Sequence, residues 1–325
     1  MAFSADQLLE KVNTYLATMP YVREPKGLYA PIEYVLSLGG KRIRPVLMLL
    51  SYQLYKENVD DILPQAAGIE TYHNYTLLHD DLMDCADMRR NKPTVHKVWD
   101  ENTAILSGDA MLVLAYRLMN NCPERYLKQV MDIFSQTALE ICEGQQWDME
   151  FETRNDVTVP EYMEMIRLKT SVLLSAALKI GAVLGGASED DARKLYDFGI
   201  KMGLAFQLQD DYLDVYGDSK VFGKNIGGDI LCNKKTFMLI NALALADGIQ
   251  RKELEKWIAP TAFCPEEKIK AVTALYDKIG IGGICEEKIN AYYVEGLSLL
   301  ESMAVPSERK EELKSFVCHL MNRKV

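Results

Sequence analysis

Apolar residues recur at three- and four-residue steps through most of this chain, and β-branched alternation is scarce. That period is helical, because residues three or four apart share one helix face. In segment 65–88, Ala66, Ile69, Tyr72, His73, Thr76 and Leu77 carry the pattern into an acidic cluster. Segments 103–119, 127–152, 160–184, 189–216 and 264–300 read the same way. Turn and cap signals fall at Gly39-Gly40, Asn91-Lys92-Pro93, Cys122-Pro123, Val159-Pro160, Gly185-Gly186 and Gly227-Gly228. With no linker and no repeat, the spacing predicts one all-α domain over 1–325. It would be a single large bundle of roughly ten or more long helices around a central cavity.

The net charge of −10 makes general nucleic-acid binding a poor fit, since phosphate affinity needs a basic surface. It does not exclude phosphate ligands, because local cations or bound metals reverse the sign inside a cleft. The 7 cysteines form no CxxC pair, which fits reduced thiols in the cytoplasm better than a disulfide framework. The N-terminus turns polar and helical at once, unlike a secretory leader. By eye, no apolar run approaches the roughly 18 residues of a membrane span. The expectation is a soluble, cytoplasmic protein without a transmembrane segment.

Two acidic clusters sit within this helical background, Asp80-Asp81-Leu82-Met83-Asp84 and Asp210-Asp211-Tyr212-Leu213-Asp214. On a helix, the first and last carboxylates of each share a face with the second beside them. Like charges at that spacing cost roughly 0.2–0.5 kcal/mol per pair, and their apolar flanks strengthen the repulsion. A divalent cation removes both penalties. All-oxygen ligation by Asp suits Mg²⁺, usually shared with substrate phosphates. One such cluster could be a solvated helix face; two embedded in apolar helices point to metal and diphosphate.

Cations accompany the acids. Lys41, Arg42 and Arg44 follow a diglycine turn, and Arg89 and Arg90 follow the first cluster. Lys169 beside Thr170 lies in an apolar helical pattern, where an unpaired ammonium would be expensive. Lys224 and Lys234 follow the second cluster across several glycines. Arg suits bidentate phosphate contacts and Lys point-charge contacts.

In order, these residues resemble the trans-isoprenyl diphosphate synthases, or polyprenyl synthetases. The resemblance covers nearly the whole chain. It rests on Gly40-Lys41-Arg42-Ile43-Arg44-Pro45, on the stretch from Ile69 to Asp84, and on Arg89-Arg90-Asn91-Lys92-Pro93-Thr94-Val95-His96. Gly144-Gln145, Lys169-Thr170, the stretch from Phe206 to Asp214, Gly223-Lys224, Gly228-Asp229, Lys234 and Thr236 complete it. Asn91 stands where that family usually has Gly.

The resemblance implies an all-helical homodimer that condenses isopentenyl diphosphate with an allylic diphosphate (dimethylallyl, geranyl or farnesyl). Lys41, Arg44, His73 and Arg90 would hold isopentenyl diphosphate. Arg89, Lys169, Thr170, Gln207, Lys224 and Lys234 would surround the allylic diphosphate. Asp80, Asp84 and Asp210 would ligate Mg²⁺ directly, about three ions per active site, with Asp81, Asp211 and Asp214 in support. The implied chemistry is ionisation, condensation and proton loss, with Lys169, Arg89 and Lys224 stabilising the departing pyrophosphate. Thr170 and Gln207 would help stabilise the cation.

Residues one turn before Asp80 should floor the tunnel for the growing chain. Tyr75 resembles the aromatic stop of farnesyl and geranylgeranyl synthases, and Tyr72 offers a deeper barrier. Thr76 is smaller than the aromatic some farnesyl synthases carry, which puts geranylgeranyl diphosphate slightly ahead. The helix from Met111 to Ala115 is the other candidate floor. A longer-chain synthase, a class I terpene cyclase and a non-catalytic subunit are the rival readings. The complete second cluster and the set Lys41, Arg44, Arg90 argue against the last two.

Overall fold

The protein is described here by a computed structural model covering residues 3–20, 23–217, 226–259 and 263–321. Lys224 therefore lies outside the described residues. Contacts group the chain into two compact units, one of 1–136, 176–196 and 304–313, the other of 137–175, 197–303 and 314–325.

In chain order the first stretch runs α1 (Ala5–Thr18), α2 (Lys26–Ser37), α3 (Ile43–Gln53) and α4 (Leu63–Met83). A hairpin of β1 (Met88–Arg89) and β2 (Lys92–Pro93) follows, then α5 (Val95–Val98), α6 (Glu101–Met119) and α7 (Glu124–Thr153). All-α architecture is thus as the periodicity predicts. Helix α4 starts on Pro64, at a first-turn position that needs no N–H partner. Its apolar face meets α6 closely because glycines sit at the contact. A Cβ at Gly68 would lie 3.3 Å from Ala115 O, and one at Gly108 would run into the His79 ring. Ile32, Leu36, Leu78, Val95, Ala104 and Met111 form an apolar core of this unit.

The hairpin pairs Met88 with Pro93 and Arg89 with Lys92, leaving Arg90 and Asn91 as a two-residue loop. Both have positive φ, 51° and 61°. That is the mirror-image turn that matches strand twist. Asn is the residue after glycine that best tolerates the left-handed region, so Asn91 can stand where glycine is usual.

The second stretch runs α8 (Val159–Ile166), α9 (Val172–Gly185) and α10 (Glu189–Tyr216). It continues with α11 (Gly228–Leu231), α12 (Phe237–Leu245), α13 (Gly248–Ile258), α14 (Pro265–Ile279), α15 (Ile281–Glu301) and α16 (Ser307–Met321). Thr158 and Glu161 close a reciprocal cap on α8, and Asp247 and Gln250 one on α13. Leu208, Phe237, Leu254, Leu275 and Ile281 belong to the apolar core of the second unit.

Three expectations need correction. The pattern over 264–300 is two helices, because Gly280 takes a left-handed φ of 84° and its N–H caps Tyr276 O at 2.9 Å. And Val159–Gly185 is long and apolar enough to cross a membrane by composition, contrary to the sequence reading. Its charges at Arg167 and Lys169 break any continuous apolar run, which hides it from the eye. The window is 83% buried in protein, as a core helix is.

The apolar pattern over 160–184 is also not one regular helix. Arg167–Ser171 forms a π turn between α8 and α9. An inserted residue of this kind commonly marks a functional position, and this one carries Lys169 and Thr170.

Candidate active site

In the first unit, Asp80 lies in the last turn of α4, and Asp84 caps the helix, its N–H donating to Asp80 O at 2.9 Å. Asp84 keeps helical backbone angles, so the two carboxylates stay on one face; Cys85, at φ 52°, then ends the run. Asp81 points elsewhere and is buried. The Arg89 guanidinium grips it, with Nε 2.8 Å from both carboxylate oxygens and an outer nitrogen 2.7 Å from one. That outer nitrogen also stands 3.9 Å from Asp80. Asp81 thus orients Arg89 against the acidic cluster.

The cations after the diglycine turn divide their work. Arg42 adopts a left-handed φ of 47° at the start of α3 and turns inward. It donates to Glu70 at 2.6 Å and to Leu36 O at 2.7 Å, with both ion-pair side chains nearly sealed from water. Arg42 is structural, as removing either buried partner would strand a charge. Lys41 is exposed and Arg44 half-buried. Arg44 donates from an outer nitrogen to His73 Nε2 at 3.0 Å, while its buried Nε meets no partner.

Burial first, then Arg44, Arg90, Arg89 and Arg42 in turn, hold the His73 imidazole well below its ordinary pKa. It is therefore neutral and accepts the Arg44 proton. Burial likewise lowers Arg44 to about 10, still charged at neutral pH. Arg90, displaced into positive φ by the hairpin, donates to Gly39 O and reaches Asn74 Oδ1 at 3.5 Å. Asn74 is itself tied to Glu70 Oε1 at 2.9 Å. So Arg44, His73 and Arg90 converge above Glu70, a cation-rich nest in which Arg42 already holds that carboxylate. Glu70 and Asn74 were missed in the sequence because they read as helix-core polar residues.

Tyr72, Tyr75 and Thr76 lie on α4 behind this face. Tyr72 is fully buried, its ring 5.5 Å from Tyr75 and 5.2 Å from Phe134. Tyr116 meets Phe134 edge-on at 4.9 Å, and Tyr75 meets His79 edge-on at 4.9 Å. Thr76 Oγ1 donates to His73 O at 2.8 Å. Tyr72 and Tyr75 thus belong to a chain of rings that continues into Phe134 on α7 and Tyr116 on α6. His79 is structural: its ring packs on Gly108, with Nε2 3.2 Å from Ile105 O.

In the second unit, Asp210, Asp211 and Asp214 lie near the end of α10. Asp211 is buried and accepts from Tyr162 OH, and from Gln207 Nε2 at 3.3 Å. Burial outweighs those bonds and raises its pKa to about 7. Asp214 accepts from the Asp229 N–H at 2.9 Å. Both help shape the cluster around Asp210. Lys234 follows α11, its N–H donating to Asp229 O at 2.9 Å.

The π turn delivers two predicted residues together with their partners. Thr170 Oγ1 meets Gln207 Oε1 at 3.3 Å, and Lys169 Nζ meets Asp148 Oδ2 at 2.5 Å. Asp148, unpredicted, sits one helical turn after Gly144 on α7, and Gly144 lets the π turn come close. A Cβ there would stand 2.4 Å from Lys169 N. The motif glycine is therefore a contact requirement of the turn that carries Lys169.

The donor set fits Mg²⁺, which takes one or two carboxylates and completes its shell with waters and substrate phosphates. Among the described residues no cage of three metal-ligating side chains exists that would favour a dedicated protein-only site.

Residues 25–276 match the polyprenyl synthetase family. The chain belongs to that family. It is a prenyltransferase. A short chain isoprenyl diphosphate synthase of Methanocaldococcus jannaschii is 41% identical over 273 residues, 84% of this chain and 83% of that one. A geranylgeranyl diphosphate synthase of Methanosarcina mazei is 46% identical over 224 residues, 68% of this chain and 69% of that one. A crystal structure of a geranylgeranyl pyrophosphate synthase superposes with a TM-score of 0.91 at 44% identity, over 99% of this chain and 98% of that one.

Proposed function

We propose that this prenyltransferase is a single-domain, short-chain synthase. It joins isopentenyl diphosphate to an allylic diphosphate and releases farnesyl or geranylgeranyl diphosphate, with the latter favoured. The observation that carries this reading is the pairing in the first unit of two unlike anion devices. Asp80 and Asp84 present carboxylates for a metal-borne diphosphate. Arg44, His73 and Arg90 present a metal-free cationic nest for a second one.

Bound with Asp80, Asp84 and Asp210, about three Mg²⁺ ions would supply Lewis-acid stabilisation of the leaving pyrophosphate. Lys169 and Arg89 add fixed positive charge to the same group, and Lys224 and Lys234 extend it. The allylic C–O bond breaks with its electron pair leaving on pyrophosphate. The double bond of isopentenyl diphosphate then forms the new C–C bond, and the adduct loses a proton to pyrophosphate. Thr170 Oγ1 and Gln207 Oε1 turn oxygen dipoles toward the transient cation.

Lys41, Arg44, His73 and Arg90 hold isopentenyl diphosphate. Tyr75, Thr76 and Tyr72 set product length. The protein works as a cytoplasmic homodimer; Ile105, Leu106 and Val113 on α6 are exposed and offer an apolar face to a second copy.

The test is incubation with isopentenyl diphosphate, Mg²⁺ and each of the dimethylallyl, geranyl and farnesyl primers, with products sized by chromatography. Farnesyl or geranylgeranyl diphosphate is expected. Products well beyond geranylgeranyl would point to a long-chain synthase, and cyclic hydrocarbon from one substrate alone to a cyclase.

A further inference from the structure

Helix α14 carries a lysine that no part of the proposed chemistry uses. Lys268 is only 6% exposed, on a helix whose other buried positions are Val272, Leu275 and Tyr276. Burying an ammonium is costly unless its protons are satisfied, and an aliphatic side chain would pack there at lower cost. Burial accordingly lowers its pKa.

The Lys268 ammonium donates to Leu231 O at 3.2 Å and to Asn233 Oδ1 at 2.7 Å. Both acceptors belong to the tight turn that ends α11. Asn233 holds that turn with a left-handed φ of 53°. Its amide also donates to Ile258 O at 3.1 Å, at the end of α13. One asparagine thus ties three helices, with Lys268 supplying the charged member.

What this turn presents is the second acidic cluster's surroundings. Asp229, before the turn, donates its N–H to Asp214. Lys234 directly follows Asn233. Asp211, Asp229, Lys234 and Lys268 all line one cavity of about 10 Å³, room for a single water. A turn of four residues with a non-glycine left-handed position is marginal alone. The Lys268 contacts add a charged tie to a turn otherwise closed by backbone bonds, from Asn233 N–H to Ile230 O at 3.2 Å and from Lys234 N–H to Asp229 O at 2.9 Å, and by the Asn233 amide on Ile258 O.

We propose that Lys268 is a positioning residue for the allylic diphosphate. It fixes the Asn233 turn and thereby sets Lys234 and Asp229 beside the acidic cluster of α10. The proposal rests on the reading that Lys234 binds the allylic diphosphate.

The test is steady-state kinetics of K268M, K268R, N233G, K234A and the K234A/K268M double variant, each with a thermal melt. K268M keeps the length and apolar stem but loses the donors. It should raise the KM for the allylic primer at least about fivefold while the KM for isopentenyl diphosphate stays within about twofold. K268R, which keeps donors, should recover most of that loss. If Lys268 acts through Lys234, the double variant should be no worse than K234A alone. N233G keeps the left-handed backbone but removes the acceptor, and should shift the same KM even if K268M does not fold. A lowered melting temperature with both KM values unchanged in K268M and N233G overturns the proposal. So do losses that multiply in the double variant. A K234A protein with an unchanged allylic KM refutes the role of Lys234 itself, a distinct result that removes the proposal's foundation.

Discussion

The close approach of α7 to the π turn yields a sharp prediction for Gly144→Ala. The added methyl would stand 2.4 Å from Lys169 N and 2.8 Å from Leu168 C and Leu168 Cβ. Ordinary contact begins near about 3.5 Å, so about 1 Å must be opened. Two of the three blocking atoms are backbone and cannot swing aside. Overpacking of this kind costs about 1–3 kcal/mol. The intrinsic preference of a helix for Ala over Gly returns about 0.5–1 kcal/mol. A net loss of about 0–2.5 kcal/mol lowers the melting temperature by a few degrees at most and leaves the protein folded. Activity should suffer far more. Lys169 and Thr170 ride on the displaced segment, and a misplacement of about 1 Å can cost about 10²-fold in rate. Pyrophosphate release under saturating Mg²⁺, with a melt on the same sample, measures both quantities. The control is Gly283→Ala on α15, the same chemical change with nothing within 4 Å of the new methyl. It should melt at or slightly above wild type with normal activity. If Gly144→Ala keeps kcat/KM within about threefold of wild type, the motif glycine is not there to seat the π turn, and the reasoning is wrong.

Asp80→Ala and Asp210→Ala should each lower kcat by at least about 10²–10³-fold while circular dichroism stays helical; wild-type rates would sink the metal assignment. Tyr75→Ala should lengthen the products, whereas Tyr72→Ala, which empties a fully buried site, should also cost about 3–5 kcal/mol of stability. Unchanged product length in Tyr75→Ala would move the floor to the Met111 to Ala115 stretch. His73 predicts a pH effect on stability. In the unfolded chain its imidazole titrates near 6.5, but in the native nest its pKa is well below that. The unfolded state therefore takes up a proton first, so stability is full above about 6.5 and falls as pH drops toward the native pKa. His73→Gln should flatten the melting-temperature profile between about pH 7 and 5; an identical slope in both proteins would refute it.

Much of this molecule is legible in the sequence because it depends on local period. The helices over 103–119, 127–152 and 189–216 follow from apolar spacing, and the acidic pairs follow from that spacing too. Features set by tertiary contact were not legible. The π turn hides inside an uninterrupted helical pattern, since only the approach of Gly144 and the partner Asp148 distinguishes it. Arg42 and Arg44 look alike two residues apart, yet a left-handed backbone turns Arg42 into the core to meet Glu70. Tyr162 reaches Asp211 from 49 residues away, and nothing local announces the pairing. The break at Gly280 stands in a glycine-rich stretch with Gly282 and Gly283, but helical period continues on both sides and masks it.

The inserted residue at Arg167–Ser171 also constrains how the gene can change length. Removing one amino acid there would restore an ordinary helix and leave α9 facing nearly as before, because a turn closed from i to i+5 holds one residue more than an α turn over nearly the same sweep. Ser171 and Ser175 now face Gly203 and Gly199 on α10, with Cβ-to-backbone spacings of 2.6 Å that only glycine permits. The Ser175 contact beyond the turn would survive the deletion, but the wider turn that carries Lys169 and Thr170 would be gone. The segment can therefore lose that one residue and keep its packing, while losing the geometry that carries Lys169 and Thr170.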